Sequence, residues 1–166
     1  MKARNRVARA AASAILASAL IAGTAGCTFI TPIGTLVQYD PTDGISGRVG
    51  TVDLRNVVAI ISEDGKAISL VLTMINTGDR QASMKIQFDS SGSSTTIVKG
   101  VPGGAVQQFG NTPDEDQILV LKPDAVAGGL LPVYFQYGDN EGQELLVPVL
   151  YATGIYEDVA PPEILR

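Results

Sequence analysis

Histidine and tryptophan do not occur in this chain of 166 residues, and cysteine occurs once, at Cys27. Without histidine there is no Ser-His-Asp triad and no conventional zinc site. Without a second cysteine there is neither a thiolate cluster nor an internal disulfide, so the fold has to stand on its hydrophobic core. Paired carboxylates for glycoside hydrolysis would lack tryptophan as a stacking platform for the sugar. The Tyr and Phe residues, five and four, fit strand positions. Positive charge is also scarce, with 12 Lys and Arg against 17 Asp and Glu. Beyond residue 26 the basic residues are Arg48, Arg55, Lys66, Arg80, Lys85, Lys99, Lys122 and Arg166, scattered singly. A phosphate-tracking surface needs clustered cations, so nucleic acid is not an expected partner.

What the chain does have begins at its N-terminus. Lys2, Arg4, Arg6 and Arg9 precede an apolar run from Ala10 to Ala22, followed by the small residues Gly23, Thr24, Ala25 and Gly26 and then Cys27. Basic, apolar and small regions in that order read as an export signal over residues 1–26. A run of about 13 residues is too short to span a bilayer, which takes about 20. Cys27 resembles the acceptor of a bacterial lipoprotein signal, with Thr24 where the usual motif has Leu. The expectation is a mature chain that begins at a lipid-modified Cys27 on the extracytoplasmic face of the bacterial cell membrane. Its 8 basic residues then stand against 17 acidic ones, a net charge of −9. Anionic lipids would repel such a surface, which leaves the acyl chains as the membrane attachment.

Residues 27–47 carry Pro32, Gly34, Pro41, Gly44 and Gly47 without a sustained period and are expected to form a lipidated tether. From residue 48 to 152 the pattern turns to alternation and β-branched runs. Strands are predicted at Val52 to Ile61, Ile68 to Ile75, Met84 to Phe88, Thr95 to Val98, Ile118 to Leu121, Leu130 to Tyr137 and Glu144 to Tyr151. The second has apolar residues on both faces and should be central. Asp89 to Ser94 reads as a loop, and Gly138-Asp139-Asn140-Glu141-Gly142 as a hairpin turn. No helical period follows the signal. Short strands with turns every 8 to 15 residues point to an all-β, immunoglobulin- or cupredoxin-like antiparallel β-sandwich. Residues 153–166, with Pro161-Pro162, read as a flexible C-terminal tail.

Three stretches carry a family resemblance: Gly50-Thr51-Val52-Asp53-Leu54-Arg55-Asn56, Leu72-Thr73-Met74-Ile75-Asn76-Thr77-Gly78-Asp79, and Leu121-Lys122-Pro123 through Val133-Tyr134-Phe135 to Leu146-Val147-Pro148-Val149. Over residues 49–150 the chain resembles the periplasmic copper-chaperone-like (PCuAC-type) family and its lipoprotein relatives. The resemblance implies a small sandwich. It also implies copper held by His and Met, including a His-x-Met near the late strands, and here the chain departs from the pattern. Beyond the signal it has no His and two methionines, Met74 and Met84, both N-terminal to that region. They continue the apolar rows of Leu70 and Leu72 and of Ile86, which places them in the core. Copper ligation is not carried over.

Asp114, Glu115 and Asp116, and separately Asp139, Asn140, Glu141 and Glu144, could offer oxygen ligands to Ca²⁺. Neither group has the spacing of a twelve-residue calcium loop, so both read as solvated turns. Gly100-Val101-Pro102-Gly103-Gly104 lacks the Gly-Lys-Ser/Thr ending of a phosphate loop and reads as a turn. No catalytic, cofactor or metal residue is assigned. The expected function is a non-enzymatic envelope lipoprotein that binds another envelope protein or component. The alternative is a copper-chaperone-like metal-handling protein with non-standard ligands. Stable anchoring takes more than one acyl chain, so Cys27→Ser is expected to release the protein from membranes or leave an uncleaved precursor. Membrane fractionation and mass spectrometry of the N-terminus check this; an unmodified mature protein starting elsewhere refutes it.

Overall fold

The computed structural model describes residue 5 and residues 7–18, 41–112 and 115–161. The chain divides into two compact units, Met1–Tyr39 and Asp40–Arg166. In the first, residues 7–18 are helical, and no helix among the described residues is long and apolar enough to cross a membrane. Cys27 and the tether up to residue 40 lie outside the described residues.

The second unit holds nine strands among its described residues: β1 (Ile45–Val49), β2 (Val52–Ile61), β3 (Ala67–Asn76), β4 (Ala82–Ser90), β5 (Ser93–Val101), β6 (Val106–Phe109), β7 (Ile118–Leu121), β8 (Leu130–Gln136) and β9 (Gln143–Tyr151). They hydrogen-bond in the order β5-β4-β8-β9-β2-β3-β6, with β1 on β2 and β7 on β3. All ladders are antiparallel except β2 with β9, where Ala59, Ile60 and Ile61 run parallel to Val149, Leu150 and Tyr151. The sheet curls about that junction into a sandwich. One layer is β1, β2, β3, β6 and β7; the other is β5-β4-β8-β9.

The core lies where the inner faces meet. From β4 come Ala82, Met84, Ile86 and Phe88, from β8 Leu131, Val133 and Phe135, and from β9 Leu145, Val147 and Val149; opposite them lie Leu54, Val57, Ile68, Leu70, Leu72 and Met74. Strict alternation in β4, buried at 82, 84, 86 and 88 and exposed at 83, 85, 87 and 89, is the signature of a strand with one wet face. Strand β3 is buried on nearly every residue, because Ile68, Leu70, Leu72 and Met74 face the core while Val71, on the other face, packs in a second apolar cluster with Val159. Leu70, Leu72, Val133 and Phe135 have no exposed surface, and neither have Met74 and Met84.

A bulge in β2 explains a pattern that simple alternation does not. Between Arg55 and Val58 the register with β3 slips, and Asn56 takes a φ of 49°. The extra residue reverses which parity faces inward. Val52 and Leu54 point to the core before it, and Val57, Ala59 and Ile61 after it. Val58 and Ile60 are thereby turned outward, where they join Val71 and Val159 in a second apolar cluster.

Val159 belongs to a 3-10 turn, Gly154–Val159, and here the structure departs from the expected flexible tail. Through Pro161 the described C-terminus folds back over the outer side of β2 and β3, because Val58, Ile60 and Val71 need cover. The Tyr156 hydroxyl donates to Asp43 Oδ2 at 3.1 Å. Burial, then the hydrogen bond to that carboxylate, raises the Tyr156 pKa.

Other differences from the sequence reading have local causes. β1 begins at Ile45, inside the stretch read as tether, and Arg48 N–H anchors it to Gln143 Oε1 on β9 at 2.8 Å. The serines read as a loop extend β4 and β5, and the loop shrinks to Ser91-Gly92, with φ of 52° and 72°. Positive φ at both positions makes a type I′ hairpin turn. The turn at Asp64 is held by its carboxylate, which accepts the Ser62 hydroxyl at 2.8 Å and the Lys66 N–H at 3.0 Å. Its pKa is lowered to about 2, first by hydrogen bonding to the Lys66 side chain.

One end of the sandwich is tied by a polar network centred on Asn76, which is 1% exposed. Its Nδ2 donates to Arg80 O at 2.8 Å and Val101 O at 3.0 Å. Its Oδ1 accepts the Gly78 N–H at 3.0 Å and the Thr51 hydroxyl at 3.0 Å. The Thr51 hydrogen is thereby committed, so the Tyr137 hydroxyl donates to Thr51 Oγ1 at 2.9 Å while accepting the Thr51 N–H at 2.9 Å. Across the open side, Lys99 of β5 reaches Asp116 at 2.6 Å and lies 5.7 Å from the Phe109 ring centroid.

Two substitutions separate core packing from the polar tie. Leu72→Ala is expected to cost about 2–5 kcal/mol by leaving a cavity, and Asn76→Ala about 1–3 kcal/mol by stranding buried carbonyls and N–H groups. Denaturant unfolding followed by far-UV circular dichroism measures both, and a neutral Leu72→Ala would refute the core assignment.

Candidate functional site

The residues weighed for metal chemistry do not converge. Met74 and Met84 sit on the inner faces of β3 and β4. Asp116 is held by Lys99, and Glu115 Oε2 accepts the Asn111 N–H at 2.9 Å; Asp114 lies outside the described residues. In the hairpin turn, Asn140 Nδ2 donates to Tyr137 O at 3.1 Å and Gln136 Nε2 to Gly138 O, so its amides hold the turn itself. Among the described residues no three His, Cys, Asp or Glu side chains are grouped to hold a metal ion. The Ser69 hydroxyl is buried without a hydrogen-bond partner, and a Cβ at Gly110 would lie 3.3 Å from it. No titratable side chain activates it, so it is not positioned as a nucleophile.

A different surface stands out, the outer face of β4, β8 and β9. Leu130, Tyr134 and Leu146 are 56%, 39% and 50% exposed. The register places Pro132 opposite Leu146 and Leu130 opposite Pro148. Tyr134 lies between Gln87 on one neighbouring strand and Glu144 on the other. A shallow depression of about 110 Å³ opens there, lined by Gln87, Phe88, Asp89, Pro132, Tyr134 and Glu144. The Tyr134 ring rests on the Gly142 backbone, where any Cβ would collide with it, so glycine at 142 fixes the ring's position.

Leucine, proline and tyrosine thus lie at the centre of this face, with Asp89 and Glu144 at its margin. Tyrosine supplies a large, rigid contact with a polar tip. Sequence reasoning identified β8 and β9 as strands but not this face. The available signal was the apolar residue at both parities, Leu130 beside Leu131 and Leu145 beside Leu146, which strict alternation with one wet face does not need.

No sequence-family profile matches this chain, and no curated protein matches it. Solved structures do. A copper-bound PCuAC domain from PmoF2 superposes with a TM-score of 0.50 at 12% identity, covering 64% of this chain and 98% of that one. The apo PmoF2 PCuAC domain gives 0.50 at 12%, with 66% and 98% covered. The apo PCuAC domain from PmoF1 gives 0.50 at 13%, with 63% and 99% covered. The described β unit thus has a PCuAC-like fold, the one that the resemblance of residues 49–150 implied.

Proposed function

We propose that this protein is a lipid-anchored, extracytoplasmic, non-enzymatic binding module of the bacterial envelope, which uses a PCuAC-like sandwich to hold another envelope protein or component. The observation that carries this reading is the exposed Leu130, Pro132, Tyr134 and Leu146 face of β8 and β9. The N-terminal basic, apolar and small-residue order ending at Cys27 supports the anchor and the location.

The fold itself favours a second reading, a copper-chaperone-like metal handler, since one of the similar structures is a copper-bound domain. Cu(I) is held by several convergent soft ligands. In this chain the thioethers beyond the signal are buried in the hydrophobic core, and the loop carboxylates prefer hard cations. The binding-module reading therefore stands first.

One set of measurements on the full chain separates the two. Cu(I) competition titration is expected to show no tight stoichiometric site. A tight site lost in Met74→Leu or Met84→Leu, with the fold intact, would establish the metal-handling reading instead. In-envelope crosslinking should yield a discrete adduct that Leu146→Asp weakens, while its unfolding free energy stays within about 0.5 kcal/mol of wild type, as befits an exposed position. An adduct indifferent to Leu146→Asp and to Tyr134→Ala would remove this face from the proposal.

A further inference from the structure

Strand β5 ends the hydrogen-bonded path on one side of the sandwich and pairs with β4 alone. Its pairing runs unbroken through nine residue pairs, from Ala82 with Val101 to Ser90 with Ser93. In a two-residue hairpin the residues flanking the turn, here Ser90 and Ser93, exchange both backbone hydrogen bonds, and every second pair after them does the same. Thr95, Ile97, Lys99 and Val101 thus bond to β4. Ser94, Thr96, Val98 and Gly100 turn their N–H and C=O groups to the free edge, where no backbone hydrogen bond from another described segment reaches them.

Native sheets guard such edges with proline, a bulge, an outward charge or a short strand. This one has none of those. β5 is nine residues long, without proline and without a register shift. Its outward side chains are Ser94, Thr96 and Val98, and its one cation, Lys99, is committed to Asp116 and Phe109. From Ser90 to Pro113 there is no Asp or Glu, in a chain with 17 of them.

We propose that β5 is a self-association edge, on which two copies of the chain pair antiparallel about a twofold axis at Ile97. Both strands present the same parity, so every outward group finds a mate: Ser94 meets the partner's Gly100, and Thr96 meets the partner's Val98. The axis closes the contact as a dimer. A basic strand would find no acid on this edge, and an acidic strand no free cation. A β-branched strand whose free edge carries no charge fits it, and β5, with Lys99 turned to Asp116, is one. A net-acidic chain can join its own copy here without opposing carboxylates. The twofold runs perpendicular to the sheet, so both Tyr134–Leu146 faces emerge on the same side of one continuous sheet.

Sedimentation of the full chain in mild detergent tests this, with Thr96→Pro and Thr96→Val as variants. Proline at 96 deletes an outward N–H and leaves the ladder to β4 intact, whereas valine preserves the edge. The expected result is a dimer whose dissociation constant rises at least tenfold in Thr96→Pro and stays within about twofold in Thr96→Val. Should Thr96→Pro misfold by circular dichroism, disulfide trapping replaces it. Chains carrying Thr96→Cys, mixed with separately tagged chains carrying Val98→Cys, should form the 96–98 crosslink, because a hydrogen-bonded pair has the Cα spacing a disulfide needs. A monomer at all concentrations, an open-ended aggregate, a dimer indifferent to Thr96→Pro, or failure of the 96–98 crosslink overturns the proposal. So does a monomer that captures an unrelated extended peptide at β5.

Discussion

The side-chain amide of Asn76 is the constraint on which this sandwich depends. It ends the central strand, and from there it fixes the start of β2 through Thr51, the end of β5 through Val101, the approach to β4 through Arg80 and, by way of Tyr137, the end of β8. Hydrophobic burial is non-directional and would accept several ways of stacking the two layers. A buried amide with each of these bonds satisfied accepts few. Thr51, Asn76 and Tyr137 together turn a generic apolar contact between layers into a particular register at that end.

At the opposite parity of the same strands, the bulge at Asn56 decides what the outer surfaces become. Reversing the phase of β2 sends Val58 and Ile60 outward and obliges the C-terminal segment to cover them with Val159. No comparable cover lies over β8 and β9 among the described residues, so Leu130, Tyr134 and Leu146 remain exposed. The two outer faces therefore differ in kind, one covered by the chain's own end and one open.

Much of this was legible in the sequence. The alternation of Met84, Ile86 and Phe88, the doubly apolar run of β3 and the Gly138–Gly142 turn each follow from local periodicity, and the fold class followed from them. What escaped was set by contacts distant in sequence. β1 and β6, with Ser46-Gly47-Arg48 and Gln107-Gln108 at their centres, have no apolar row; they are strands because β2 and β3 offer them an edge. The turn at Ser91-Gly92 was hidden by serines that can extend a strand as well as break one. The open face of β8 and β9 was not legible either, since an exposed leucine and a buried one read alike in a strand that is apolar at both parities.

The parallel contact between β2 and β9 carries a consequence in time rather than in space. Ala59 pairs with Val149, so β2, among the first strands of the domain, is joined to the other layer by its last strand. Hairpins such as β4–β5 and β8–β9 can form as soon as both of their strands are present, but the junction must wait for almost the whole domain and bear the entropy of closing a long loop. A chain that reaches its compartment N-terminus first would therefore hold an incomplete sandwich, with the Ala59–Ile61 stretch of β2 and one edge of β8 lacking their β9 partner, until its final strand arrived. That interval is when such a protein is most exposed to wrong strand partners.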